Sequence, residues 1–347
     1  MPPLPPQSLI LEQLQQTVLP AAGVAALVVC LFALLGRWAG ALGSACAVVA
    51  GFVAANYLFL KPTWTEGRVL PWKQLSETKP WEWLPRAALV LLVVGLASRW
   101  LGLILLRVLP ERRWWVANIL VWAPRIAAVF VVCGWLVSDR WVAEHPWLPW
   151  ALRAAVLFNW VVLDSIARTG PGLLPVQGIY DERPPEPAGD WTGAGGQVAA
   201  YLALVLLAAS GVSLYSYWGS PTEASTILGA AMFGVAVAAG VARTDASGAI
   251  PAGVVFVPVL MLSCKMSTDT TVPAATFWLL ALAPLALSPF LIPRLARHNG
   301  WKTQTARAVL ILIPVAAALV IAGRNATLSF GDEWSGGVAH PESKKLV

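Results

Sequence analysis

Charged side chains are scarce in this sequence. Asp, Glu, Lys and Arg together make up 12% of its 347 residues, whereas about 25% is usual in soluble domains. Hydrophobic residues make up 58% and come in repeated blocks of bilayer length, separated by short polar connections. The core of a soluble protein would not show apolar blocks of this regular length. The composition therefore excludes an ordinary soluble domain and predicts a multi-pass protein of the cell membrane.

Residue patterns that carry catalysis or hold cofactors are also missing. The sequence has no GxxxxGK(S/T) phosphate loop, no HExxH pair and no GxSxG nucleophile elbow. Its histidines fall in predicted loops or in the tail, and its cysteines fall singly in apolar segments. We therefore predict no cofactor, no metal site and no disulfide framework, and the sequence identifies no enzyme activity. The residues concerned are His145, His298, His340, Cys30, Cys46, Cys133 and Cys264.

The net charge of +6 is spread along the chain rather than clustered. Nucleic-acid binding needs a concentrated basic face. Here Lys and Arg lie at predicted helix ends and in short connections, a distribution typical of membrane anchoring. We expect membrane lipid as a partner, with other membrane proteins as a further class, and no nucleic acid.

Hydropathy divides the chain into five parts. Residues 1–17 are predicted to form an N-terminal tail or interfacial helix, 18–166 a first transmembrane half and 167–196 a polar linker. Residues 197–323 form the second transmembrane half, and 324–347 form a polar C-terminal tail. Helices satisfy their own backbone hydrogen bonds in lipid, so the prediction is an all-α, polytopic transmembrane helical bundle of about ten spans. The predicted spans are 19–36, 39–60, 85–109, 114–138, 147–166, 197–218, 226–242, 249–264, 273–292 and 308–323.

Short matches keep the same order in the two halves. Residues 42–45 in the second span resemble residues 228–231 in the seventh, and residues 153–157 in the fifth resemble 307–310 at the tenth. With an odd number of spans in each half, these matches favour two five-helix halves in inverted repeat, as in many secondary transporters. Matches among Ala, Leu, Val and Gly are common in any membrane protein, so two unrelated halves are the alternative.

The short connections after odd-numbered spans share one side of the membrane and carry Lys and Arg. On the opposite side, Lys and Arg lie mainly in one longer loop, residues 61–86. The connection between the ninth and tenth spans holds Arg294, Arg297, Lys302 and Arg307. Because positively charged short loops stay on the cytoplasmic side, this side is predicted to be cytoplasmic and both termini are predicted to lie outside.

The fourth predicted span, residues 114–138, has one charged residue, Arg125, near its middle. An arginine at that depth costs about 2.5–3.5 kcal/mol on insertion scales, so it should face the protein interior. Counting residues from the span ends places Arg99 of the third span, and Asn159 and Asp164 of the fifth, at a similar depth. These four residues form a candidate buried polar site.

Two interpretations of this candidate site stay open. In the first, Asp164 neutralises Arg125 in a structural ion pair while Arg99 extends to the nearer membrane face. In the second, the excess positive charge faces an anionic substrate or a lipid headgroup. Three classes of function follow: a structural or accessory membrane protein, a secondary carrier for a small or anionic solute, and an intramembrane enzyme acting on lipid.

Overall fold

The computed structural model describes residues 14–36, 39–55, 84–108, 114–137, 139–168, 194–215, 219–267, 272–292, 295 and 301–336. These residues are almost entirely helical and contain no strand, which confirms the all-α class. The N-terminal residues up to 13 and nearly all of the predicted linker, residues 169–193, lie outside the described part.

Eleven α-helices are named here in chain order within the described residues. A π-helical turn, Leu14–Val18, leads directly into α1. A 3-10 turn, Ser247–Ala249, precedes α9, and a 3-10 segment, Ala283–Leu291, follows α10. The helices are α1 (Leu19–Leu34), α2 (Gly40–Val53), α3 (Leu84–Val108), α4 (Trp114–Leu136), α5 (Asp139–Glu144), α6 (Leu148–Arg168), α7 (Ala194–Tyr215), α8 (Gly219–Ala242), α9 (Ile250–Ser267), α10 (Ala274–Ala281) and α11 (Trp301–Gly336).

Seven helices of the described part are long and apolar enough to cross a membrane, or eight if the bent pair formed by α10 and its 3-10 segment is one span. Each of the ten predicted segments coincides with a helix or with this bent pair. However, α2 has only 14 residues, and the arginine-bearing α3 is not among the seven. Ten spans therefore stay a prediction, as does the inverted repeat.

Helix α9 lies at the centre of the bundle. Its span, Ser247–Met266, is completely buried, and it contacts α3, α6, α7, α8 and α10. Its sequence carries Val, Leu, Phe and Met on all sides, which is typical of a helix with no exposed face. The other spans are arranged around this helix and carry the faces available to lipid.

The first α-helix of the described part packs against the second predicted half as well as the first. Helix α1 packs against both α2 and α8, and α8 also packs closely against α7. The approach of α1 to α8 depends on Gly234, since a Cβ atom there would collide with the backbone of Ala22. Small residues allow helix backbones to approach in this way.

The ninth predicted span is broken. Helix α10 ends at Ala281, and the following 3-10 segment is inclined to it by 41°. Pro284 and Pro289 lie in that segment, and proline cannot donate the backbone hydrogen bond that an α-helix requires. The bend therefore has a cause in the sequence.

The last helix is longer than predicted at both ends. Residues 301–307, assigned to a connection, form its first two turns, and the Thr305 hydroxyl donates a 2.9 Å hydrogen bond to the Trp301 carbonyl oxygen. These residues include no proline or glycine, the two residue types that disfavour a helix most. Polar residues of the other types are compatible with a helix, so the helix extends through them. The prediction that Arg307 lies in a loop is wrong, because Arg307 is helical and completely buried. At its other end the helix continues into the predicted polar tail as far as Gly336.

Candidate functional site

Arg125 of α4 is buried, with 1% of its surface exposed, and it binds residues of both neighbouring helices. Its Nη1 atom donates to Asp164 Oδ2 of α6 at 2.5 Å, and its Nε atom donates to the Ser98 hydroxyl of α3 at 2.6 Å. Ser98 in turn donates to the Gly95 carbonyl oxygen at 3.0 Å, which leaves its oxygen free to accept from Arg125. Arg125 thus contacts both the third and the fifth predicted spans, with Asp164 as its carboxylate partner.

Two indole rings also contact the Arg125 guanidinium. Its Cζ atom lies 4.8 Å from the ring centroid of Trp122 and 5.3 Å from that of Trp160. The two rings meet edge to face at 6.4 Å. A planar guanidinium can bond in its plane while it contacts aromatic faces, so the rings and the ion pair stabilise the same charge.

Arg99 of α3 forms a second ion pair, with Asp245. This pair is more accessible than the first, since 21% of the Arg99 side chain and 30% of the Asp245 side chain are exposed. The other Asp245 oxygen, Oδ1, accepts a 2.8 Å hydrogen bond from the Ser247 backbone N–H. Asp245 therefore connects α3 to the turn that leads into the central helix α9.

The sequence interpretation missed Asp245 because it lies outside every predicted span. A usable signal exists: it is the only acidic residue between the seventh and eighth spans. Span parity places that connection on the same side as the end of α3, two turns beyond Arg99.

The backbone of this connection positions Asp245. Helix α8 ends where Arg243 adopts a left-handed conformation with φ of 50°, and the Thr244 N–H then bonds the Ala239 carbonyl oxygen at 3.1 Å. This is the hydrogen-bond pattern of a Schellman helix end. A Cβ atom on Gly248 would collide with the Ala41 carbonyl oxygen of α2, so the turn packs against α2 without a side chain between them.

Both residues of the first ion pair, Arg125 and Asp164, line one small cavity together with Arg99 of the second. Its volume is about 10 Å³, close to the lower limit for a single water molecule. We call Arg99, Arg125, Asp164 and Asp245 the charge cluster; it has two positive and two negative groups. The residues lining the cavity are Gly95, Leu96, Arg99, Arg125, Trp160, Asp164, Ser247, Gly248 and Pro251.

Asn159, the fourth residue of the predicted site, is buried but does not line this cavity. Its Nδ2 atom donates to the Ala281 carbonyl oxygen of α10 at 2.9 Å. That carbonyl is the last of its helix, where the break at Leu282 removes the regular acceptor pattern. The broken helix therefore provides Asn159 with a partner outside the charge cluster.

Within the residues that the structure describes, seven or eight apolar helices of bilayer length, one of them the buried central helix, define this chain as a multi-pass membrane protein. Comparisons with protein-family models, with curated proteins and with solved structures give no match for it.

Proposed function

We propose that the protein has a structural or accessory role in the cell membrane and that the charge cluster holds its helices in register. The supporting observation is that each arginine of the cluster is already paired with a carboxylate of the same chain. A site for an anionic solute needs positive charge that is not neutralised internally. Here the charges balance within the cluster, and the cavity beside them has room for about one water molecule.

The cluster joins three spans of the first predicted half to one another and to a turn of the second half. Arg125 and Asp164 connect α4 to α6, while Ser98 connects α3 to α4. Arg99 and Asp245 connect α3 to the turn before α9. In lipid, helices gain little from hydrophobic burial against each other, so directed polar contacts have more influence on which helices pair. We infer that the cluster selects this arrangement over other packings of similar apolar helices.

The proposal includes a ten-span topology with two five-helix halves. It is supported by the coincidence of all ten predicted segments with helices or with the bent pair in the described residues. Helix α2 would cross with its continuation beyond Val53, and α3 would cross with its arginines in internal pairs or at its ends.

The test is a combined stability and uptake experiment. The protein is reconstituted into vesicles and offered a panel of labelled solutes, including phosphate, sulfate and small carboxylates, with and without a proton gradient. A structural role predicts uptake equal to that of protein-free vesicles, together with a large loss of stability when Arg125 is replaced. Specific uptake that disappears in a stable Arg99→Met variant contradicts the proposal.

A secondary carrier for a small or anionic solute is the second candidate. It is favoured by the cavity between the ion pairs, by the partial exposure of the Arg99 and Asp245 pair, and by the bent helix. Broken helices near the bilayer centre are typical of carrier sites. Opening of the outer pair would free Arg99 to bind an anion. A carrier therefore predicts saturable anion uptake that requires both Arg99 and Asp245.

A further inference from the structure

Arg307, in the second turn of α11, is a second deeply buried cation. None of its surface is exposed. Its Nε, Nη1 and Nη2 atoms are all buried, and none has a hydrogen-bond partner among the described residues. Arg125, buried to a similar degree, has a carboxylate and a hydroxyl instead. Of these two arginines, Arg307 is thus the one whose guanidinium lacks an anion in the described structure.

The groups around Arg307 compensate its charge only in part. Its Cζ atom lies 4.9 Å from the ring centroid of Phe290, in the 3-10 segment that follows α10. The Tyr201 hydroxyl of α7 is close enough to interact electrostatically with it. That hydroxyl also reaches the Gln304 carbonyl oxygen, at 3.5 Å, one turn before Arg307. An aromatic face and a phenol stabilise a guanidinium less than an anion does, and arginine cannot lose its proton to avoid the cost of burial.

The helix places this guanidinium near the membrane surface. Trp301, which is 72% exposed, and the exposed Lys302 begin α11, and such residues are typical of the headgroup region. Arg307 follows Trp301 by six residues, which corresponds to roughly 9 Å along the axis. The Cα–Cβ bonds of a helix are tilted toward its N-terminus, so that of Arg307 is inclined toward this surface.

We propose that Arg307, assisted by the Tyr201 hydroxyl, binds a phosphate group at this membrane face. A guanidinium offers a planar fork of N–H donors that matches the oxygens of a phosphate. The Tyr201 hydroxyl adds a donor when its proton turns from the long, 3.5 Å contact with the Gln304 carbonyl oxygen to a phosphate oxygen. The phosphate belongs either to an anionic lipid headgroup or to a free phosphate ion. The proposal does not depend on the role of the charge cluster.

The test measures thermal unfolding of the purified full-length chain in detergent during titration with phosphatidylglycerol, and separately with inorganic phosphate. A ligand that binds only the folded state raises the Tm with its concentration. For the wild-type chain we expect phosphatidylglycerol to raise the Tm. In Arg307→Met, the concentration required for the same rise in Tm should increase by about tenfold or more, because the charge-assisted bonds are lost.

Two further variants make the comparison specific. Lys302→Met removes an exposed charge from the same end of the same helix and should leave the titration unchanged. Arg307→Lys retains the charge but loses the fork, so the concentration that it requires for that rise in Tm should lie between those of the wild type and Arg307→Met. Arg307→Lys also carries the test if Arg307→Met does not fold.

The two ligands distinguish the two sources of phosphate. A rise with phosphatidylglycerol alone assigns the site to lipid, whereas an equal rise with inorganic phosphate assigns it to a free ion. Identical titrations for the wild type, Arg307→Met and Arg307→Lys would overturn the proposal. So would a wild-type Tm that responds to neither ligand.

Discussion

Removing the Arg125 side chain should destabilise the protein mainly through the carboxylate that it leaves behind. In Arg125→Ala, Asp164 stays buried without its guanidinium partner. Breaking a buried pair in this way typically costs about 3–5 kcal/mol. The 2.6 Å bond to Ser98 and the contacts with the rings of Trp122 and Trp160 are lost as well. We therefore expect a loss of about 4 kcal/mol in the free energy of unfolding.

A second substitution separates the charge effect from the packing effect. Asp164→Asn removes the negative charge with little change in volume. In the double variant, Arg125→Ala with Asp164→Asn, part of the loss should return, and the interaction energy should be about 2 kcal/mol. The remaining loss comes from the space left by the arginine side chain.

Arg153 of α6 is a suitable control for the aromatic contacts. Its Cζ atom lies 4.9 Å from the ring centroids of both Phe130 and Trp150. Arg153→Ala should therefore lose cation–π contacts of comparable geometry at a cost of about 1 kcal/mol. Equilibrium unfolding with sodium dodecyl sulfate in mixed micelles, followed by tryptophan fluorescence, measures the wild type and all four variants. Strictly additive losses at Arg125 and Asp164, or equal losses for Arg125→Ala and Arg153→Ala, would refute the ion-pair argument.

Three further predictions use the same unfolding assay. Gly248→Ala should cost about 2 kcal/mol through overpacking. Gly240→Ala is the control and should be neutral or stabilising, because an added Cβ there meets nothing within 4 Å. Similar effects of the two substitutions would show that the turn can move. Arg243→Gly should stabilise by about 0.5–1 kcal/mol by relieving the left-handed backbone, and a loss there would indicate that the side chain has another role. Asn159→Asp should cost more than Asn159→Leu, because a carboxylate cannot donate to the Ala281 carbonyl and repels it; the reverse order would exclude that hydrogen bond.

The ion pair between Arg125 and Asp164 was predictable because both residues lie inside long apolar segments with clear ends. Counting along helices of known rise then gives their relative depth, and the cost of an unpaired charge selects the partner. The same count of residues from the end of its span selected Asn159 as well. Its actual partner is a carbonyl exposed by a helix break, and neither the position nor the angle of that break follows from residue depth.

The residues that the sequence analysis misplaced lie at helix ends. Asp245 is set by a left-handed residue and a 3-10 turn, and periodicity carries no information about either. Arg307 was assigned to a loop because its neighbours are polar, although they are compatible with a helix. In both cases a buried charge depends on a helix boundary, and boundaries are the least certain part of any reading from sequence.

Accessibility of the cavity to water-soluble reagents distinguishes a structural charge cluster from a carrier site most directly. Ser247 lines the cavity, is buried, and contributes a backbone N–H rather than its hydroxyl to Asp245. Ser247→Cys is therefore a small change. It would be made in a chain whose native cysteines, Cys30, Cys46, Cys133 and Cys264, are replaced by alanine. Lys302→Cys, at an exposed position, provides the control.

If the cluster is structural, a charged, membrane-impermeant thiol reagent should modify the cysteine at position 247 about a hundredfold more slowly than the one at position 302. The reason is that reaction at position 247 requires local opening of the protein. The reagent is applied from each side of the membrane in turn. The rate at position 247 should not change when candidate solutes are added. Modification as fast as at position 302 from either side, or a rate that changes with an anionic solute, would contradict a structural role and identify the charge cluster as a transport site.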